Sequence, residues 1–280
     1  MIEYKHSKQT MKISKSLTLH GHDISYNTLM KILRKKDVLI NGIRTNKDIE
    51  VNPNDVIRVY DLKNAQSNTK TIPVIYQDSN IVIIDKPANI ETEGQNSVIS
   101  ILQGMGFNAA AVHRLDRNTQ GIMVFALNGA AENELTLAFS QRQVHKIYRA
   151  EVLGFLDPPE NTLSAYLFKD SQKSEVIISK TPKDGYLPIK TGYKVVKEWD
   201  MTSLIDVFLY TGRTHQIRAH LAFIGHPIIG DGKYGDYQIN KGLKAKTQRL
   251  KAYSLSFDFR GGALSYLNGK TFLTDCRKLK

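Results

Sequence analysis

One cysteine, Cys276, and one tryptophan stand in a chain of 280 residues. A lone thiol excludes an internal disulfide and any multi-cysteine zinc site, and it suits a reducing compartment, the cytoplasm. No apolar run is long enough to cross a bilayer, and the amino terminus MIEYKHSKQTMKISK lacks the apolar core of a signal peptide. Neither membrane insertion nor secretion is expected. Acidic residues are scarce too: 27 Asp and Glu stand against 39 Lys and Arg, a formal net charge of +12. Such a surface suits a polyanionic partner. Hydrophobic residues make up 41% of the chain, enough at this length for one large domain or a large and a small one.

The polar stretch DLKNAQSNTKT lacks apolar periodicity and reads as a linker over residues 61–72, between a small module of residues 1–60 and a domain of residues 73–280. In the small module, YNTLMKILRK sets Leu29, Ile32 and Leu33 at helical spacing, with Lys31, Arg34, Lys35 and Lys36 on another face. DVLINGIRTN then predicts a strand turning at Asn41-Gly42, and VIRVY predicts a strand after the turn Asn52-Pro53-Asn54-Asp55. In the larger domain VIYQDSNIVIIDKP predicts two strands joined at Asp78-Ser79-Asn80. GIMVFAL, HKIYRAEVLG, SLIDVFLY and YSLSFDF are further strand candidates. One helix is predicted from Ala130 to Gln141, with Leu135, Ala138 and Phe139 on one face. A second starts at Thr214 as N-cap, carries Ile217, Leu221 and Ile224, and stops at Gly225 before Pro227. Long strands with few helices, out of βαβ alternation, indicate an α+β fold on a mostly antiparallel, mixed sheet.

HRLDRNTQGIMVFA places four ionisable side chains, His113, Arg114, Asp116 and Arg117, within five residues directly before an apolar strand. A charged loop opening onto a buried strand can present a reactive group, although charge alone favours a solvated turn. The stretch resembles the catalytic loop HRLDxxTxG of the RluA-type family of RNA pseudouridine synthases, matched at His113, Arg114, Leu115, Asp116, Thr119 and Gly121. Three further segments resemble the family in the same order: VIYQDSNIVIIDKP, ending in Lys86-Pro87; KIYRAEVLG, with Tyr148; and TGRTHQIRAHLAFIGHPIIGDGKYG, from Thr211 to Gly235.

The resemblance implies isomerisation of uridine to pseudouridine in structured RNA, ribosomal large-subunit RNA or transfer RNA, with no cofactor and no metal. Asp116 would be the catalytic carboxylate, Arg218 its cationic partner, and Tyr148 the ring that stacks on an extruded uracil. Arg114, His113, Arg213, Lys86 and Thr119 would contact the substrate. The residue types suit this chemistry. A free aspartate, with an ordinary pKa of about 3.9, is ionised at neutral pH and can attack sugar or base, or remove a sugar proton. An arginine can hold it with two parallel hydrogen bonds, as a lysine cannot. Read without the family, Arg218 is a surface residue on an amphipathic helix and Tyr148 one of 13 sheet and surface tyrosines. His215 and His220 are expected to orient backbone or core groups.

The small module resembles an RNA-binding module named after a small-subunit ribosomal protein. Two departures stand out. MKISKSLTLHGHD lacks the leucine-rich first helix usual there, so the copy reads as abbreviated, and ANIETEGQNS replaces the usual apolar, histidine-containing continuation after Lys86-Pro87. A metal-dependent hydrolase built on His113, Asp116, His215, His220, His226 and Asp231 lacks the required spacing, since His215 and His220 are five apart and no HExxH or paired-cysteine pattern occurs. The alternative of another class is a non-catalytic RNA-binding or ribosome-assembly protein that retains the fold; such a binder has no use for a carboxylate facing its polyanion. The expected state is a cytoplasmic monomer.

Overall fold

The computed structural model describes residues 1–22, 26–60, 71–172 and 175–276, with side chains left undescribed at 26–28 and 31. The chain forms two compact units, Met1–Lys70 and Thr71–Lys280. Most of the expected linker, residues 61–70, and Lys31 of the basic helix face lie outside the description. Ile72, placed in that linker by its sequence, is instead buried in the core of the larger unit, where its apolar side chain is removed from water.

In the amino-terminal unit, strands β1 (Ile2–Lys5), β3 (Val38–Ile40), β4 (Ile43–Thr45) and β6 (Val56–Val59) form a sheet in the order β1-β6-β3-β4, and β2 (Met11–Lys12) pairs with β5 (Glu50–Val51). Asn41 and Gly42 both take positive φ, the geometry of a tight hairpin between β3 and β4. Helix α1 (Ile13–Leu19) occupies the segment expected to lack a first helix. Ile13, Ser16 and Leu17, at i, i+3 and i+4, bury one face of it. Helix α2 (Tyr26–Arg34) adds Leu29, Ile32 and Leu33 to the same core.

The larger unit is built on one eleven-stranded sheet. Its strands are β7 (Val74–Gln77), β8 (Ile81–Lys86), β9 (Ala110–Ala111), β10 (Gln120–Ala126), β11 (Val144–Leu153), β12 (Glu160–Asp170), β13 (Glu175–Ser179), β14 (Leu187–Glu198), β15 (Thr202–Leu209), β16 (Leu250–Phe257) and β17 (Thr271–Leu273). The main path runs β13-β12-β14-β15-β11-β16-β10-β8-β7, with β17 on β16 and β9 on β10. The described pairings are antiparallel except β10 with β16. The expected α+β, mostly antiparallel architecture is therefore present.

Four α-helices are described in this unit: α3 (Val98–Gly104), α4 (Gly129–Ser140), α5 (Gln216–Phe223) and α6 (Tyr237–Gly242). Leu135 and Ala138 of α4 and Ile217 and Leu221 of α5 enter the main core, and Asn128 caps α4 by accepting from Ala131 N–H. Helix α5 begins one residue later than Thr214 suggested. Its N-cap is His215, at φ 54°, without a side-chain cap, and the side chain of Gln216 holds the preceding loop by accepting from the Arg213 amide and from Thr211 Oγ1. Gly225, at φ 89°, ends it as expected. Among the described residues no helix is long and apolar enough to cross a membrane.

The parallel contact of β10 with β16 depends on Gly121. Its φ is +117°, and a Cβ there would lie 2.2 Å from the Ala252 carbonyl oxygen. Neither strand can yield, because both are central. Gly121→Ala should therefore lower stability by about 3 kcal/mol or more. Urea unfolding of variant and wild type measures it, and a loss below about 1 kcal/mol would mean the two strands can part without cost.

Candidate active site

The loop between β9 and β10 carries Asp116. Its form is set locally by the Thr119 amide, which donates to the Asp116 carbonyl at 3.0 Å, and by Leu115, which is buried. Below it Lys86, at the end of β8, is fully buried. Its ammonium donates to the carbonyls of Pro87 (3.0 Å), Ile90 (2.8 Å) and Arg117 (3.1 Å), and the Ile90 amide donates to the same Arg117 carbonyl. Burial pulls the Lys86 pKa down to about 8, against the raising influence of Asp116 and Glu91. All three ammonium hydrogens are committed. Lys86 thus braces the Asp116 loop and is not among the residues that line the cavity beside Asp116.

Two further residues expected at the substrate also make contacts within the protein. His113 Nε2 accepts the Val124 amide at 3.2 Å and its ring stacks on Phe139, with centroids 4.6 Å apart. Burial, with the charge of Lys146, holds its pKa well below the usual histidine range, so the ring is neutral. Thr119 is buried and its hydroxyl accepts from Gln248 Nε2 at 3.1 Å. It reaches the cavity wall with this oxygen already engaged.

Asp116, Tyr148, Arg218, Arg114 and Arg213 do converge. With Lys146, Thr119, His215, Leu209 and Leu250 among others, they line one cavity of about 140 Å³. The Asp116 side chain keeps 21% of its surface exposed, whereas that of Arg218 keeps 7%. Arg218 Nη1 approaches Asp116 Oδ2 at 3.5 Å. Its main partner is Asp231, which the sequence reading had considered only as a metal ligand: Nε lies 2.6 Å from Asp231 Oδ2 and Nη2 lies 2.8 Å from Oδ1. Asp231 also accepts the amides of Lys233 and Tyr234. Burial alone would raise the Asp231 pKa, but the Arg218 hydrogen bonds and charge and the two amides hold it below the usual carboxylate value. For Arg218, burial is likewise outweighed by Asp231 and Asp116, which keep it protonated.

His215 stands beside the carboxylate as well, with Nε2 3.9 Å from Asp116 Oδ2. Tyr234 Oη accepts the Val176 amide, which leaves its own hydrogen for His215 Nδ1 at 2.9 Å. Burial lowers the His215 pKa despite the Asp116 charge, which favours a neutral imidazole beside the carboxylate. His220, expected to orient core groups, does so through Thr191 Oγ1 at 3.0 Å, and burial pulls its pKa down to about 4. Tyr148 is 5% exposed on β11, its hydroxyl pKa pushed up by burial and by Asp116. It is a neutral ring at the cavity wall. A larger cavity of about 370 Å³ behind the Asp231 loop is lined by Lys241, Lys244 and Lys246 and holds no comparable reactive set.

The RNA pseudouridylate synthase family profile matches residues 80–223, the span from β8 through α5. A ribosomal large subunit pseudouridine synthase C of Vibrio vulnificus is 29% identical over 234 residues, covering 76% of this chain and 73% of that protein. An uncharacterised RNA pseudouridine synthase of Mycobacterium bovis is 34% identical over 212 residues, 70% of this chain and 68% of that one. The solved human RNA pseudouridylate synthase domain containing 1 superposes with a TM-score of 0.61 at 22% identity, over 74% of this chain and 92% of that chain, a likeness of fold.

Removing Asp231 strands a buried guanidinium, so Asp231→Ala should cost about 3–5 kcal/mol at pH 7. Because the folded pKa of Asp231 is depressed, its contribution is present above the unfolded value near 3.9 and is lost as pH falls through the folded value. In urea unfolding the gap between wild type and variant should narrow below about pH 4. A gap that stays constant at lower pH would show that charge pairing is not its source.

Proposed function

Because the chain belongs to the RluA-type family of RNA pseudouridine synthases, isomerases that act on uridines in RNA, we propose that it modifies large-subunit ribosomal RNA with Asp116 as the reacting carboxylate. The ribosomal target follows relatives named for that subunit. The observation that carries the Asp116 role is its asymmetry with Asp231. One carboxylate is sealed against Arg218; the other keeps a fifth of its surface open to the cavity, at the long end of the same guanidinium.

In this reading the target uridine leaves its stack and enters the cavity, as enzymes acting on bases in structured nucleic acid require. Tyr148 stacks on the uracil, and Arg114 and Arg213, both exposed at the rim, hold flanking phosphates. Asp116 engages the sugar or the base, the glycosidic bond breaks, and the ring turns and rejoins through carbon-5. Arg218 aims the carboxylate through Nη1, and His215 stands 3.9 Å from the same oxygen. The chemistry needs no cofactor or metal. The amino-terminal unit acts as an RNA-binding module through basic residues of α2 and its end, Arg34, Lys35 and Lys36.

Carbodiimide-blocked primer extension on total RNA tests this in cells with the gene, without it, and with Asp116→Ala restored. Specific stops should disappear on deletion and return with wild type alone, and the purified variant should be slower by roughly 10⁴-fold or more. If no stop in any RNA depends on the gene and the purified protein fails on transcripts, a non-catalytic RNA-binding role takes its place.

A further inference from the structure

Lys146 lines the same cavity as Asp116, two residues before Tyr148 on β11. Among the described residues its ammonium has no ion pair and no hydrogen bond; its recorded contact is the Phe139 ring, 5.1 Å from the centroid. The other cations near the cavity are placed differently. Lys86 is saturated by carbonyls, Arg218 is held by Asp231 and Asp116, and Arg114 and Arg213 are exposed. A cation drawn into a protein wall without a counter-ion is unfavourable until an anion arrives.

The isomerisation generates such an anion inside the cavity. When the bond between the ribose C1′ and N1 breaks, its electron pair leaves with the ring, whose negative charge spreads over N1 and the two carbonyl oxygens. The charge is discharged when a C5 electron pair forms the new bond to C1′, the C5 hydrogen departs as a proton, and N1 takes up a proton. Atoms and charge balance without a co-reactant. Resting on the isomerase reading, we propose that Lys146 is a further catalytic residue, the cation that neutralises the detached uracil ring. A fixed charge in a water-poor cavity acts strongly on charge that develops beside it. The exposed rim arginines suit phosphates; the inward amine suits the ring.

Burial pulls the Lys146 pKa down to about 8, so its charge is present at neutral pH and is lost above that value. The ionisable groups around it are His113, Arg114 and Asp116 from the loop before β10, Tyr148 on its own strand, and Arg213, His215 and Arg218 around the start of α5; α4 contributes the Phe139 ring. The pKa values of His113 and His215 are pushed down and those of Tyr148 and Arg218 up, so these groups keep their charge state as Lys146 titrates; Lys86, beneath the Asp116 loop, is also pulled down to about 8 and titrates in wild type and variants alike.

Single-turnover rates of wild type, Lys146→Met and Lys146→Arg on the RNA found by primer extension, from pH 6.5 to 9.5, test the proposal. Lys146→Met should lose roughly 10²–10³-fold in the rate at saturating RNA, the scale of removing one charge-stabilising donor. Its RNA affinity and salt dependence should stay near wild type. The wild-type rate should fall above pH 8 more steeply than that of Lys146→Arg, which stays charged while Lys86 titrates in both; this comparison stands even if the methionine variant folds poorly. A methionine variant with full rate at saturation but weakened, less salt-sensitive RNA binding would overturn the proposal and make Lys146 a phosphate contact. Identical alkaline limbs in wild type and arginine variant would also overturn it. A wild-type protein that forms no product on any RNA would instead remove the isomerase reading on which it rests.

Discussion

A single guanidinium, shared between two carboxylates of unequal exposure, sets the terms for the rest of the site. Arg218 could not be buried on α5 without Asp231, because an unpaired charge in that position would be expelled or would unfold its surroundings. Asp231 is itself fixed by the amides of Lys233 and Tyr234. The loop after α5 therefore grips Arg218 from behind and leaves Nη1 facing Asp116. In the proposed reaction Asp116 meets a partner already held in position by Asp231, and so little reorganisation is left to the reaction itself.

The sheet supplies the opposing half. Lys86, at the end of β8, spends its charge on three carbonyls, one of them at Arg117 beside Asp116. Gln248, just ahead of β16, reaches Thr119 from the other side. The Asp116 loop is held by buried polar contacts to both strands that neighbour β10. Such contacts are costly to leave half made, and this gives the loop one geometry rather than several.

The strands that carry the site were legible because their apolar residues alternate or run continuously: IVIIDK, GIMVFA and SLIDVFL. The strands β12 and β14 were less so. ENTLSAYLFKD and LPIKTGYKVVKE interrupt their apolar residues with lysine, glutamate and proline, since much of each strand stays exposed and its pairing is settled by neighbours distant in sequence. Asp116, Arg114, Tyr148, Arg213 and Arg218 were found through ordered family motifs, and the cavity gathers them. Lys86, His113 and Thr119 belong to the same motifs but act on the backbone and core, a distinction invisible until their partners are known. Asp231 offered one signal, a lone acidic residue in the apolar and glycine-rich run IIGDGKYG. Spacing alone could not say that a residue thirteen places on would return to Arg218. Lys146 offered none, because an unpartnered amine is a property of its surroundings.

The claim that Asp231 acts on the reaction through Arg218 is tested most directly by a double-mutant cycle. Single-turnover rates would be measured for Arg218→Lys, Asp231→Asn and the double variant at saturating RNA. If one guanidinium carries the effect of both residues, the double variant should be no slower than Arg218→Lys alone. Losses that multiply would contradict this account, because Asp231 would then reach the reaction by a route of its own.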